Sequence, residues 1–390
     1  MRIIQLVLVL LCATNGIAQE LKPLTTVPIE TDFNLIHVPV QVGDQEVLMI
    51  LDTGAAFTVI DEGVALKAGL EIKDQRVVPQ PGGEVRLGRL DMLTLGLGSV
   101  NAEIPNVRTV DLSSLKRFIG KETLGIIGYD FIKMHTIEVD YLGNAMHIFD
   151  KDSYTYQGDG TILTTEIIET KPLVSGDILH GEKEFEGKWL LDTGSLMSVG
   201  LSKAFAQKDG IGNMVKMKNS ISVGFGGSTP GKAFKVDGFK LGDFQFENII
   251  TGYAEDEVLA AMVDNGVIGG EILSRFTLVI DYERLRFILE PNPKLDGPIR
   301  WDLSGMMMAF PDDKFMELEV LHVFDDAPAM HTGIKQGDMI NAIDGMGIQE
   351  FTYPKLWKLF HYSLGRPVTL TITRENKQMD LTLVLAEYFD

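Results

Sequence analysis

Leu51-Asp52-Thr53-Gly54-Ala55 and Leu191-Asp192-Thr193-Gly194-Ser195 are one phrase written twice, 140 positions apart. Each copy closes an apolar run, Val47-Leu48-Met49-Ile50 in the first and Trp189-Leu190 in the second. A strand that ends in a carboxylate, then Thr, then Gly, sets an acid on a tight turn with backbone amides pointing at it. One such acid is ordinary. Two, each on its own copy of the same framework, can meet across a pseudo-twofold axis and share a proton.

The surroundings repeat as well. Leu35, Ile36, Val38, Val40 and Val42 lead to a Gly43-Asp44 turn and a second apolar strand into Asp52, a β-hairpin that delivers the acid. Phe57 to Ile60 follows, and Asp61 caps a short helix over Glu62 to Ala68, ended by Gly69. Pro79-Gln80-Pro81-Gly82-Gly83 reads as a turn cluster. Val85 to Leu97 and Glu103 to Val110 read as strands, and Gly125-Ile126-Ile127-Gly128 as a tight apolar turn. Thr136 to Asp140 and Ala145 to Phe149 close the unit as a hairpin.

The second unit replays this order. Pro172 to His180 and Glu186 to Leu191 are the hairpin, and Leu201 to Gln207, ended by Gly210, is the helix. Gly224-Phe225-Gly226-Gly227 is the turn cluster and Gly266-Val267-Ile268-Gly269 the apolar turn. Thr277 to Asp281 and Leu285 to Leu289 close it. Asp52 precedes Gly128 by 76 residues and Asp192 precedes Gly269 by 77; the intervals to Asp140 and Asp281 are 88 and 89. Landmarks kept in register over such a length mark a tandem duplication. The expectation is a mostly β chain with two similar lobes, residues 34–150 and 165–291, and a cleft between them. Residues 19–33 read as a polar lead-in.

On these residues each unit resembles the retropepsin-like aspartyl protease domain of clan AA. Asp140-Tyr141 and Asp281-Tyr282 match its closing Asp-Tyr, and the resemblance covers roughly Asn34 to Pro291. Two copies in one chain are similar to the fused arrangement of pepsins, although each unit is short and retroviral in character and lacks a recognisable pepsin flap tyrosine. The resemblance implies Asp52 and Asp192 as a catalytic pair working on peptide bonds without metal or cofactor. Thr53 and Thr193 would hydrogen-bond across the pseudo-dyad, and Gly54 and Gly194 would aim amides at the carboxylates. Ala55 and Ser195 differ: a hydroxyl at Ser195 can donate to the ionised carboxylate and lower the pair's pKa values, which suggests a working pH between strongly acidic and neutral. Gly82-Gly83 and Gly226-Gly227 are flap tips that close over substrate, or else plain hairpin turns. Asp140 and Asp281 read as structural strand ends.

Glu290 to Pro298 holds three prolines in nine residues and reads as a linker, residues 292–299. Beyond it Met306 to Phe310, Phe315 to Val323, Asp338 to Ile343, Val368 to Thr373 and Met379 to Leu385 read as strands, and Tyr353 to Leu364 as a helix. Ala327 to Ile340, continued by Ile343-Asp344-Gly345, resembles the PDZ signature of bacterial proteases, which implies an α+β PDZ domain over residues 300–390. Ser304-Gly305-Met306-Met307 lies where a loop for a peptide's terminal carboxylate would precede the first strand, without the usual Gly-Leu-Gly-Phe wording. Met306 to Met308 would line a soft pocket or sit in the core. Such a domain recruits substrate, gates the cleft or docks a partner.

The bulk numbers fit an exported peptide-handling protein. The 390 residues suffice for two or three cores, and a net charge of −20 argues against nucleic acid or an anionic membrane as partner. Met1-Arg2 and the apolar run Ile3 to Leu11 read as a signal peptide, residues 1–18, with Gly16-Ile17-Ala18 placing cleavage before Gln19. A periplasmic or extracellular location is expected. Cys12 would leave with that peptide; its acylation as a lipid anchor needs a small residue in front, and Leu11 fits poorly. No integral membrane span is expected, and both acids on one polypeptide make a monomer sufficient. The seven histidines show no metal-ligand spacing. Against the peptidase stand two rivals, a non-catalytic peptide-binding scaffold on a protease-like fold and an enzyme acting mainly on its own chain.

Overall fold

Alternation of apolar and polar residues drives about half of this chain into strands, which the computed structural model gathers into four sheets over residues 22–208, 210–224, 226–258, 265–312 and 314–389. The expected leader, its cleavage point and Cys12 lie outside the described residues. Among those described, no helix is long and apolar enough to cross a membrane.

The first nine-stranded sheet is organised by the hairpin His37–Val42 and Gln45–Leu51, turned at Gly43 with φ +57° and registered His37 to Ile50. Val38, Val40, Met49 and Leu51 are fully or almost fully buried, so the alternation seen in sequence is the core face. Gly125 to Ile127, expected as a turn, is a strand. Its three buried residues slot parallel to Met49–Leu51 and antiparallel to Val59-Ile60. Only glycine fits at its start, because a Cβ on Gly125 would lie 2.9 Å from the Val59 carbonyl oxygen. This insertion sets Leu51 beside Ile127, and the Asp52 amide donates to the Ile127 carbonyl at 3.0 Å. The eight-stranded sheet repeats the device: Gly266–Ile268 runs parallel to Trp189–Leu191, and the Asp192 amide donates to Ile268 at 2.9 Å.

The two sheets differ where the sequence pattern is uniform. Phe244–Ala254 and Gly227–Leu241 are long unbroken strands in the second. Their counterparts in the first break into Gly83–Arg89 with Met92–Leu97, and Val100–Pro105 with Arg108–Val110. The expected single strands over 85–97 and 103–110 are therefore each split. Asn106 adopts φ +58°, and the buried Leu90 and Val107 tie the two breaks together through Leu90 N–H to Val107 O at 2.9 Å. The helix Ser113–Ile119, closed by Gly120 at φ +68°, follows and was not anticipated.

A six-stranded sheet joins the halves. Its order is Thr25–Pro28, Ala145–Asp150, His135–Asp140, Phe276–Asp281, Arg286–Pro291, Thr161–Thr164. At its centre the two closing hairpins meet antiparallel, Ile137 opposite Ile280 and Asp140 opposite Thr277. Residues 19–33 are not merely a lead-in: Thr25–Pro28 is an edge strand, and Val27, Ile29 and Phe33 are buried.

The C-terminal sheet contains Met306–Ala309, Leu318–Val323, Met339–Ile343, Pro367–Arg374 and Lys377–Val384, with the helix Tyr353–Tyr362 over its own apolar core. The proline-rich stretch before it is pinned. Arg275, buried and paired with buried Glu271 at 2.9 Å, donates from its guanidinium to the carbonyls of Lys294, Leu295, Gly297 and Pro298. Asn34 donates to the other Glu271 oxygen at 2.7 Å. Removing Arg275 leaves Glu271 buried without its counter-charge and frees four carbonyls. Arg275→Ala is expected to cost about 3–5 kcal/mol in denaturant unfolding, with limited proteolysis cutting first within residues 292–299.

Candidate active site

The two repeated turns come together back to back. The Thr53 amide donates to Thr193 Oγ1 and the Thr193 amide to Thr53 Oγ1, each at 3.0 Å. Each hydroxyl then donates across to the opposite strand, Thr53 to the Leu191 carbonyl at 2.5 Å and Thr193 to the Leu51 carbonyl at 2.7 Å. Both threonines are fully buried. Four mutual hydrogen bonds, none reaching solvent, lock the two turns into one unit.

This lock sets the two carboxyl groups against each other, within hydrogen-bond contact. Asp52 Oδ1 accepts from the amides of Gly54 at 2.7 Å and Ala55 at 3.0 Å, and Asp192 Oδ1 accepts from Gly194 at 2.9 Å. The glycines do more than bend the chain. A Cβ on Gly54 would fall 2.8 Å from the Asp192 carboxyl carbon, and one on Gly194 would fall 2.4 Å from that of Asp52. Each turn's glycine is thus the floor on which the other turn's acid rests, and any side chain there would push the acids apart.

Burial raises the Asp52 carboxyl above its usual range, against the pull of its amide bonds. Asp192 rises well above it, because burial and the neighbouring Asp52 both oppose its ionisation. Two carboxyls in contact retain one proton between them. The expected hydroxyl donation from Ser195 is not made: its side chain forms no hydrogen bond to Asp192 and instead lies against Gly269, where a Cβ would meet Ser195 Oγ at 2.9 Å. Packing of the apolar strand end, which the sequence could not show, turns that hydroxyl away. Ala55 and Ser195 act through their backbones; the Ala55 carbonyl accepts from Tyr129 at 2.9 Å and the Ser195 carbonyl from Gly270 at 2.7 Å.

An acid recurs just past each apolar strand, at Asp130 and Glu271, and the repeat could have revealed both. Asp130 accepts from the Thr58 amide and, at 2.6 Å, from its hydroxyl, bracing the segment after the first turn. Glu271 instead serves Arg275 and Asn34. Asp140 accepts the turn amides of Leu142 and Gly143, and Asp281 pairs with Arg284 and Arg286, so both hold strand ends. Tyr282 carries a buried hydroxyl without a hydrogen-bond partner among the described residues, and its ring stacks on Tyr129.

The two glycine clusters meet tip to tip. The Gly226 amide donates to the Pro81 carbonyl at 3.0 Å, and Gly82 and Gly83 lie against Gly227 and Gly226 so closely that no Cβ would fit. The four residues Ser304 to Met307 behave otherwise than expected. The amides of Ser304 and Gly305 already donate to Asp302 Oδ1, at 2.8 and 2.9 Å, and the Met306 amide reaches Ser304 Oγ. A carboxylate of the chain itself fills the loop, and burial pushes that carboxyl up to about 6. Met306 is core, and Met307 packs with Phe324 and Phe389. Among the described residues no cluster of His, Cys, Asp or Glu is arranged to hold a metal.

Residues 38–131 match the family model for aspartyl protease, a stretch that contains Asp52, Thr53, Gly54, Ala55 and the first glycine cluster. The chain matches no curated protein.

A carboxyl whose folded-state pKa lies above its unfolded value contributes stability that is full below the ordinary Asp value of about 3.9 and is lost as pH rises through the folded value. The Asp52–Asp192 pair therefore costs stability toward neutral pH. Asp192→Asn is expected to unfold at higher urea than the natural chain at neutral pH, with that advantage shrinking or reversing near pH 3.

Proposed function

We propose that this protein is an aspartic endopeptidase in which one chain supplies both members of the catalytic pair, Asp52 and Asp192, from two tandem lobes of the retropepsin type. The observation that carries the reading is the contact of two carboxyl groups whose turns are cross-bonded through Thr53 and Thr193 and floored by each other's glycine. A scaffold that only binds peptides has no need of two acids held where one proton must be shared.

The chemistry follows from that proton. The ionised member takes a proton from a water as the water attacks the scissile carbonyl, and the protonated member donates a hydrogen bond to the carbonyl oxygen as charge builds on it. The proton gained by the first acid is then available to the leaving amine. Both carboxyls are raised and the pair titrates as a unit, so the proton at rest belongs to the pair, and whichever member is ionised when water enters is the base. The paired glycine hairpins close over an extended substrate. The apolar leader at Ile3 to Leu11 supports export to a periplasmic or extracellular space.

The C-terminal module reads as a PDZ-type domain, and its contacts favour gating over recruitment. Trp357 stacks edge-on against Phe33 at 5.4 Å, beside Leu196 of the second turn. On the other side Lys218 donates to the Asp325 carbonyl at 2.6 Å and the Asn219 carbonyl meets His322 at 2.9 Å, both at the base of the second glycine hairpin. A module touching both halves can hold or release them.

Asp52→Asn is expected to abolish pepstatin-sensitive cleavage of a mixed peptide library, a loss of at least about 10³-fold in kcat/KM; undiminished cleavage would remove the reading. With raised carboxyls, both limbs of the pH–rate profile shift upward, and an optimum above the strongly acidic range is expected; a peak below about pH 3 would contradict it. Trp357→Ala is expected to alter cleavage of long and short peptides alike if the module gates, and to impair only long ones if it recruits.

A further inference from the structure

The glycine hairpin Lys73–Gln80 and Gly83–Arg89 is a ribbon held at its base, where Gly88 and Arg89 pair with Arg108–Val110 and Arg86 grips Glu62, and its outer part runs on beyond them. Its residues are mostly exposed or half-buried, Val77 at 62% exposure among them. A two-stranded ribbon without an apolar face is marginal by itself. What fixes its tip lies in the other half of the chain. Asp256, just after the strand Phe244–Ala254, places Oδ2 at 3.1 Å from the Gly82 amide and at 3.1 Å from Thr229 Oγ1. Gly82 is the tip of the first hairpin; Thr229 stands two residues past the tip of the second. One carboxylate oxygen therefore bridges both hairpins, and beside it runs the Gly226 to Pro81 backbone bond. The turn shapes make this possible: Gly82 at φ +88° and Gly227 at φ +129° expose their peptide groups to each other with no side chain between.

We propose that Asp256 is a positioning residue that latches the two hairpin tips together, a role that rests on the reading of those hairpins as flaps over bound peptide. Only the second half supplies this carboxylate, so the closure is asymmetric although the hairpins are equivalent. Hydrogen bonds to a carboxylate are the stronger kind, and the one that crosses from the Gly82 amide, with Thr229 holding the same oxygen in place, shifts an open–closed equilibrium by about ten- to a hundredfold. Substrate held under latched flaps leaves slowly; without the latch, binding weakens while the acids themselves are untouched.

The test uses the full chain with Cys12→Ser and spin labels at E84C and S228C, exposed positions on the two hairpins. Asp256→Ala is expected to lengthen and broaden the label-to-label distance distribution. It should also raise KM for a cleaved peptide about tenfold while kcat stays within about threefold. Asp256→Asn, which keeps an acceptor oxygen, is expected to restore most of both, and Thr229→Val to fall between. An unchanged distance distribution in Asp256→Ala overturns the latch, as does a fall in kcat with KM unaltered. Should Asp256→Ala fail to fold, unchanged distances in Thr229→Val overturn it equally. The two readings fail separately. Opened tips in a chain that cleaves no peptide sustain the latch and remove the peptidase, whereas Asp52-dependent cleavage with tips unmoved by Asp256→Ala does the reverse.

Discussion

Everything in this molecule depends on a crossed pair of threonines. Two strands from different halves end side by side, and their next residues satisfy each other's backbone: amide to hydroxyl, hydroxyl to carbonyl, twice over. Burial makes the arrangement obligatory, because breaking one bond leaves a donor and an acceptor without water. A serine could offer the same hydroxyl but would leave a void where the threonine methyl packs. The lock also determines what can follow. With the turns fixed back to back, the next residue must be glycine, since the space its Cβ would need is already taken by a carboxyl group.

The electrostatics follow from the same crowding. Ionising both acids would place two charges side by side in a half-buried site, so a proton stays. The retained proton belongs to the pair and not to either residue. The amides of each turn ease part of the burden of the remaining charge: one oxygen of Asp52 gathers Gly54 and Ala55, and Asp192 takes Gly194. The Ser195 hydroxyl, which chemistry alone would assign to that task, is turned toward Gly269.

How much of this could be read from the chain depends on the range of the interaction. Asp52 and Asp192, their hairpins and their helices were legible because period-two burial, a repeated phrase and fixed offsets are local signals. Gly125 to Ile127 was misread as a turn because three apolar residues between glycines carry no period; only their insertion between two other strands identifies them. The edge strand Thr25–Pro28 was missed for a related reason, since polar residues suffice at an edge and Val27 is its one buried position. Ser304 to Met307 suggested an open carboxylate site by position alone, whereas the occupant, Asp302, was two residues upstream. Asp256 had no sequence signal at all. Its meaning lies in a contact 174 positions away.

The C-terminal module shows how such long-range contacts accumulate into one connected body. Its first strand, Met306–Ala309, is an edge, the kind of surface that accepts an added strand. At the end of that edge, however, the Phe310 amide and carbonyl are both taken by Arg117, from the helix Ser113–Ile119. Leu115 and Ile119 of that helix pack in the cluster that also holds Phe33, Trp357 and Leu196, and Leu196 adjoins the turn of Asp192. A peptide that claimed the whole edge would have to displace Arg117, and with it shift a helix that supports the acid turn. Phe33 is held at φ +58°, an unfavourable backbone for so bulky a residue, and its ring is the one that meets Trp357. Strain of that kind persists only where surrounding contacts over-determine it. The junction between module and acids is therefore a place where the fold has accepted a local cost to keep two parts in touch.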